Sequence, residues 1–311
     1  MASTARIAAT LGLNLFSSLS IVFVNKWLFL YNKFPSITLT LINFVGTSFG
    51  LYVCLGLGLF KRKTVHVRDV LPLAASFCGF VVFTNLSLKY NTVGTYQLLK
   101  VLTSPVILLL NYQWFDKIPS RFVVLSLLPI FLGVTLNSIF DLQFSPIGTF
   151  MALLGVGTTA MYQILVGHKQ KELALDSMQL LSYQAPLSSV MLLCVLPFLE
   201  PPFAEGGLFA IDLSLEGFLL VCLSTSAAFL VNFTIYWIIG NTSPITYNFF
   251  GHFKFCATMI GGVLIFNDEL QTNQYIGIML TLIGVFSYSH LKMKERNQNT
   301  PLRSNKIELK P

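Results

Sequence analysis

The chain has 311 residues, of which 54% are hydrophobic and only 11% are charged, and its mean hydropathy is +0.70. A soluble domain has about 25% charged residues, so this composition excludes a soluble enzyme, a disordered protein and a nucleic-acid-binding protein. The net charge of +7 is typical of a membrane protein with basic cytoplasmic loops. The composition therefore predicts a multi-pass protein whose main surroundings are the lipid bilayer.

Ten hydrophobic runs, each about as long as a bilayer-spanning helix of roughly 20 residues, follow one another along the chain. They cover residues 7–31, 37–60, 70–88, 92–114, 121–139, 146–167, 177–198, 214–239, 242–266 and 270–291. The short connections leave no room for a soluble domain. The runs predict a single all-α domain of ten transmembrane helices over 1–291, followed by a polar, disordered cytoplasmic tail at 292–311.

The basic residues are unequally distributed between the two sides of the membrane. An even number of helices places both termini on one side, and that side has fifteen basic residues against two on the other. By the positive-inside rule, both termini are expected in the cytoplasm. The three remaining basic residues, Lys26, Lys100 and Lys254, lie inside the runs, and no acidic residue lies deep enough in the membrane to pair with them.

These lysines point to an anion site. Lys100 and Lys254 lie near the bilayer midplane, where a lysine costs about 2.5–3.5 kcal/mol on insertion scales and usually has a function. Without a carboxylate, a bound anion is the favoured partner. The alternatives are a lysine that burial neutralises and a lysine packed against the carbonyls of a helix end. Lys26 is five residues from the end of its run. It is either a structural anchor whose stem reaches the interface or a residue of the transport pathway.

An internal repeat relates the two deepest lysines. Residues 91–100 and 241–254, which open the fourth and ninth runs, both read Asn-Thr, then Thr-Tyr, then a lysine. The two runs are equivalent if the chain consists of two five-helix halves, about 1–140 and 145–291. Because five is odd, the second half enters the membrane from the opposite side, as in the inverted repeats of secondary transporters. Substrate sites in such proteins lie where the halves meet.

Helical spacing selects the neighbours of the lysines. The residues predicted to bind substrate share a helix face with the lysines: Lys100, Lys254, Tyr96, Tyr247, Thr103 and Asn248. Residues predicted to line the pathway are Lys26, Thr95, Tyr162 and Gln163. The alternative for each tyrosine and threonine is a hydrogen bond between helices. Pro105, one turn after Lys100, predicts a kink. The five cysteines lie in apolar stretches without a CxxC pair, so neither a metal nor a cofactor is expected.

Three motifs carry a resemblance to a known family. They are Asn25-Lys26, Thr95-Tyr96 with Lys100 and Pro105, and Ser243-Pro244 with Lys254. With the ten-run layout they resemble, over residues 7–292, the nucleotide-sugar and triose-phosphate translocator branch of the drug/metabolite transporter superfamily. The resemblance is closest to subfamily E of solute carrier family 35.

The resemblance implies exchange of a phosphorylated or nucleotide-linked sugar for a phosphate-bearing counter-anion across an organelle membrane, with the Golgi as the expected organelle. In the triose-phosphate relatives, lysines matching Lys100 and Lys254 hold the phosphate, and an arginine follows the second one. Here position 255 is Phe, so a nucleotide-linked sugar fits better than a three-carbon phosphate.

The sequence thus predicts a secondary-active antiporter that works by alternating access. The spans contain no HExxH, GxGD-like or Ser/His arrangement that could support an enzyme. Two alternatives stay open: a membrane scaffold or chaperone that transports nothing, and a transporter of another small metabolite. The scaffold hypothesis predicts that the deep lysines affect stability alone.

Overall fold

All regular structure in the described residues is α-helical. The computed structural model describes residues 4–115, 120–139, 145–201, 203, 207, 214–242, 244–266 and 272–299. The helices are α1 (Thr4–Leu30), α2 (Ser36–Gly56), α3 (Val67–Tyr90), α4 (Val93–Val101), α5 (Thr103–Phe115), α6 (Arg121–Leu125), α7 (Leu128–Ile139), α8 (Pro146–Glu172), α9 (Ser177–Leu199), α10 (Leu215–Asn241), α11 (Pro244–Phe266) and α12 (Thr272–Asn299).

Seven stretches of helix are long and apolar enough to cross a membrane, and α4 and α5 together form one of them. Three shorter apolar stretches, Arg121–Leu136, Lys254–Phe266 and Tyr275–Leu291, lie within the remaining described helices. Many large apolar side chains point outward, among them Phe49, Phe198 and Leu215. On a water-soluble protein so much exposed apolar surface would cause association, whereas here it matches lipid. The chain is therefore an all-α, multi-pass membrane protein.

The helices differ from the predicted runs at two breaks and at the C-terminal end. The fourth run is divided between α4 and α5, next to Lys100, because Pro105 lacks the N–H that would continue the hydrogen-bond ladder. The fifth run is divided between α6 and α7. The expectation of a disordered tail from residue 292 is wrong for 292–299, which continue α12. Lys, Met, Glu and Arg favour helix, so the apolar helix extends into this polar stretch. Residues 300–311 lie outside the described residues.

Pairs of long helices form the body of the molecule. Helix α3 packs along α8, α1 along α10, α2 along α9 and α7 along α12. Aromatic rings fill the contact between α2, α3, α8 and α10: the Phe77 ring stacks on Phe44 with centroids 5.0 Å apart, and Tyr162 stacks on Phe80 at 5.3 Å. This cluster supports one wall of the central cavity described below, since Phe44 and Phe80 also line that cavity.

Contacts at both ends of the bundle fix the positions of α2 and α9. At one end, the Glu200 carboxylate accepts hydrogen bonds from the backbone N–H groups of Ile37 and Thr38, at 3.0 and 2.9 Å. These N–H groups at the start of α2 have no partner within the helix, and the helix dipole favours an anion there. At the other end, the Lys63 ammonium donates to the carbonyl of Leu173, at 2.9 Å.

Candidate substrate-binding site

A central cavity of about 190 Å³ lies between α1, α2, α3, α4, α5, α8, α10 and α11. Five of the six residues predicted to bind substrate line this cavity: Lys100, Lys254, Tyr96, Tyr247 and Thr103. The sixth, Asn248, has a side chain that lies outside the described residues. The cavity therefore brings together residues that are up to 158 positions apart in the sequence, and their role in binding stays a prediction.

Lys100 lies at the end of α4, where Pro105 and the break at Leu102 interrupt the helix. Its ammonium group donates a hydrogen bond to the Tyr96 hydroxyl at 3.1 Å, as the spacing of four residues predicts. The same ammonium group lies 5.3 Å from the Tyr96 ring centroid and 5.9 Å from that of Phe80. Ring faces attract cations, so two rings help to hold the charge at the cavity wall.

Lys254 lies on α11 and is held from two sides. Its ammonium group donates to the Tyr247 hydroxyl and to the side-chain oxygen of Asn14, both at 2.9 Å, and it lies 4.3 Å from the Tyr247 ring centroid. Asn14, on α1, is fully buried and donates in turn to the Thr234 hydroxyl on α10 at 2.7 Å. Thus Lys254 is positioned by a chain of hydrogen bonds that connects three helices.

Asn14 is a residue that sequence reasoning missed. A signal was present, since Asn14 is an amide in the middle of the otherwise apolar first run. Spacing alone did not relate it to Lys254, because the two residues are 240 positions apart. Buried amides in membrane helices usually have a hydrogen-bonding partner on a neighbouring helix, and here that partner is the ammonium group of the candidate site.

The described lining of the cavity carries positive charge without an anionic side chain to compensate it. Lys100 and Lys254 both line the cavity, and no described residue that lines it is an aspartate or glutamate. Each ammonium group has three N–H donors. Lys100 uses one and Lys254 uses two, so three N–H groups and the O–H groups of Tyr96 and Tyr247 remain uncommitted within the described structure. This set of donors complements phosphate oxygens.

Lys26 has a different environment and does not line the cavity. It is 6% exposed, and its ammonium group donates to the carbonyl oxygens of Leu88 and Asn91, at 3.0 and 2.6 Å. These carbonyls end α3, where the helix dipole favours a cation. The ammonium group of Lys26 is therefore held inside the protein at the end of α3. Its contacts favour the structural anchor, although it stabilises a helix end rather than an interface.

The other three predicted pathway residues have separate positions. Gln163 lines the cavity. Thr95 is buried, and its backbone N–H donates to the hydroxyl of Thr92 at the start of α4. Tyr162 is buried within the aromatic cluster, 5.3 Å from the Phe80 ring and 6.0 Å from the Tyr236 ring. Neither Thr95 nor Tyr162 contributes to the cavity wall in the described part of the chain.

Three asparagines on the cavity wall form a hydrogen-bonded network. Asn25 and Asn85 interact through their amides at 3.5 Å, and Asn85 donates to Thr40 at 2.7 Å. The Ser224 hydroxyl donates to Asn25 at 2.6 Å and accepts from Asn43 at 3.1 Å. Helices α1, α2, α3 and α10 are thereby connected. The asparagine network satisfies its own polar groups, so its principal role is in packing.

Comparisons with known proteins identify the family of the chain. The model of the Triose-phosphate Transporter family matches residues 5–289. UDP-xylose transporter 2 of Arabidopsis thaliana is 32% identical, over 96% of this chain and 84% of its own. UDP-xylose transporter 1 of the same organism is 33% identical, over 91% and 83%. GDP-mannose transporter GONST5, also from A. thaliana, is 27% identical, over 94% and 90%.

A solved crystal structure covers 89% of this chain and 98% of its own, with a TM-score of 0.60 at 12% sequence identity. At this identity the likeness shows the fold alone. The family match spans almost the whole chain, and two of the relatives exceed 30% identity over more than 90% of it. The protein is thus a membrane transporter and not an enzyme, and it belongs to the triose-phosphate transporter family of the drug/metabolite transporter superfamily.

Proposed function

We propose that the protein is an antiporter that exchanges a nucleotide-linked sugar for a phosphate-bearing anion. The observation that carries the proposal is the pair of lysines, each held by a tyrosine hydroxyl, on the wall of one cavity whose described lining contains no carboxylate. Phosphate is the group in the cargo that pairs with such a site, since ammonium and phenol donors both bind its oxygens.

The same charges give a reason for exchange. Closing the empty cavity would remove water from two ammonium groups that have no anionic partner, which is costly in a membrane protein. A bound phosphate offsets this cost, so each change of access requires an anion. The counter-substrate is then a phosphate-bearing anion such as a nucleoside monophosphate, and no coupling ion or cofactor is needed.

A nucleotide-linked sugar fits the cavity better than a three-carbon phosphate. Phe255, where the resemblance implies an arginine in triose-phosphate relatives, lines the cavity and is 4% exposed. Phe44 and Phe80 add apolar surface to the wall, and aromatic rings pack well against a nucleobase or sugar ring. Curated relatives with this family's fold carry UDP-xylose or GDP-mannose. We extend this class of cargo to the present chain.

The proposed architecture is ten transmembrane helices in two inverted five-helix repeats within one domain, residues 1–291, with halves of about 1–140 and 145–291. Helix packing supports it. In two such repeats, α1 corresponds to α8, α2 to α9 and α3 to α10. The contact between α1 and α10 then has its counterpart in the contact between α8 and α3, and the contact between α2 and α10 has its counterpart in that between α9 and α3. Three further contacts, α2–α9, α4–α11 and α7–α12, each join a helix to its own counterpart in the other half. Alternating access by rocking of the two repeats follows from this pseudo-symmetry.

The proposed orientation has both termini in the cytoplasm, since fifteen basic residues fall on that side against two on the other. The proposed membrane is that of the Golgi, as the family resemblance implies. Cysteine accessibility on each side of sealed Golgi vesicles would test both statements.

Exchange in proteoliposomes tests the proposed function. Purified protein would be reconstituted into vesicles that contain nucleoside monophosphates, sugar phosphates or buffer alone, and labelled UDP-xylose, UDP-galactose and GDP-mannose would be offered outside. We expect uptake of at least one nucleotide sugar, and only into vesicles that contain a phosphate-bearing anion. Uptake into buffer-loaded vesicles at the same rate would contradict antiport. No uptake of any of these anions by folded protein would favour a membrane scaffold or a transporter of another metabolite.

A further inference from the structure

The polar residues on the cavity wall fall into two groups. Asn25, Asn43 and Asn85 satisfy one another in the asparagine network. In contrast, the hydroxyl oxygen of Thr103 and the amide oxygen of Gln163 are buried without a hydrogen-bonding partner among the described residues. Of the seven buried polar atoms of this kind in the described structure, these two alone belong to residues that line the cavity.

Leaving such atoms unpaired reduces the stability of the empty protein. A buried polar group without a partner costs about 1–3 kcal/mol when it has lost water. Thr103 and Gln163 are each 5% exposed, and within the described structure the Gln163 amide oxygen has no hydrogen-bonding partner. Unpaired groups of this kind in a native protein are commonly explained by function, and a ligand in the cavity would complete them.

Both residues line the same cavity as Lys100, the proposed phosphate-binding cation. Thr103 begins α5 one turn after Lys100. Gln163 follows Thr159 by one turn of α8, and Thr159 lines a small recess together with Lys100 and Tyr96. A ligand whose phosphate is bound by Lys100 would extend into the cavity whose wall includes Thr103 and Gln163.

The unpaired atoms restrict which part of the ligand this is. An amide oxygen can only accept a hydrogen bond, and an ionised phosphate has no hydrogen to donate, so the partner that the Gln163 oxygen lacks is not the phosphate. We propose that the amide oxygen of Gln163, together with the Thr103 hydroxyl on the same cavity wall, determines specificity by binding an O–H or N–H group of the uncharged part of the cargo. This inference rests on the proposed transport of nucleotide sugars and adds that the protein selects among them by hydrogen bonds from α5 and α8.

The test uses two pairs of variants. Thr103→Val and Gln163→Leu remove the unpaired atoms with little change in volume. Their matched controls are Thr47→Val, which removes an unpaired hydroxyl that does not line the cavity, and Gln184→Leu, which removes an amide that bonds Tyr236 and Ser188 at 2.7 and 2.9 Å. Melting temperature in detergent and inhibition of labelled UDP-sugar uptake would be measured for all four variants.

We expect Gln163→Leu to keep or raise the melting temperature and to weaken binding of the UDP-sugar about tenfold, the effect of one lost hydrogen bond. Inhibition by pyrophosphate should stay unchanged. Thr103→Val should act in the same direction, whereas Thr47→Val should leave uptake as it is and Gln184→Leu should lower the melting temperature.

Modified inhibitors identify the donor group. If Gln163 binds a sugar hydroxyl, a deoxy-sugar analogue should bind wild type more weakly than the parent compound but bind Gln163→Leu equally well. If Gln163 binds the nucleobase N–H, an N3-methylated uridine compound should bind wild type more weakly than its unmethylated parent, and Gln163→Leu should bind the two equally well. If Gln163→Leu discriminates as wild type does in both tests, the inference is overturned. Failure of wild type to exchange any nucleotide sugar would instead contradict the proposed function.

Discussion

Three lysines lie within apolar helices of this protein, and their surroundings separate them into two kinds. The ammonium group of Lys26 is buried against the carbonyl oxygens that end α3. The ammonium groups of Lys100 and Lys254 lie on a cavity wall, held by tyrosine hydroxyls and aromatic faces and with donors left over. A membrane lysine thus indicates a ligand site when the protein positions its charge without saturating its donors.

The two kinds of lysine differ in their acceptors, and Lys26 is also the more deeply buried. Carbonyls at a helix end supply strong, fixed acceptors and a favourable dipole, so Lys26 needs no ligand. A phenol oxygen accepts one N–H and keeps its own O–H available. Tyr96 and Tyr247 therefore orient the two lysines and at the same time add donors to the same site.

The largest effect is expected when either cavity lysine is lost. Lys100→Ala and Lys254→Ala should each reduce nucleotide-sugar exchange by at least about 100-fold, since losing one partner of a buried charge pair costs roughly 2–5 kcal/mol. Melting temperature should be unchanged or higher, because an uncompensated charge has been removed. Uptake into anion-loaded proteoliposomes checks the first statement and thermal unfolding in detergent the second. Exchange at the wild-type rate in either variant would refute the role of that lysine.

A smaller effect is expected from changes at Asn14, which positions Lys254. Asn14→Asp keeps the shape but supplies a carboxylate that neutralises the ammonium group, so the apparent KM for the anion should rise about tenfold or more. Asn14→Ala removes one contact but leaves the charge, and its KM should rise less. A higher KM for Asn14→Asp than for Asn14→Ala would indicate an electrostatic effect. A general loss of packing would instead give the alanine variant the higher KM.

The smallest effect on transport is expected at Lys26. Lys26→Met leaves the carbonyls of Leu88 and Asn91 without their donor, which should cost about 1–3 kcal/mol of stability and lower the melting temperature by several degrees. Exchange per folded molecule should stay near that of wild type. A Lys26→Met variant that is stable yet inactive would place Lys26 in the pathway and remove the distinction between the two kinds of lysine.

The sequence predicted the helices and the central residues for identifiable reasons. Hydrophobic runs are the strongest signal in a membrane chain, and the repeat around Lys100 and Lys254 relates two distant helices directly. The phenol contacts of Tyr96 and Tyr247 followed from helical spacing alone. The break beside Lys100 followed from Pro105, which acts locally and needs no tertiary information.

What the sequence did not reveal depends on contacts between helices. Tyr162 and Gln163 are adjacent in sequence, yet one packs among rings and the other lines the cavity. Asn14 and Glu200 acquire their roles from partners more than 150 residues away. Helical periodicity assigns a residue to a face but does not identify the helix that this face meets, and so it could not assign these four side chains.

The most direct test of the central claim compares a charged ligand with its neutral counterpart. Affinities of UMP and uridine would be measured for wild type and for the Lys100→Ala, Lys254→Ala double variant by thermal shift in detergent. If the lysines bind phosphate, wild type should prefer UMP by at least about 100-fold, and the double variant should bind the two ligands equally. An undiminished preference for UMP in a folded double variant would contradict the account.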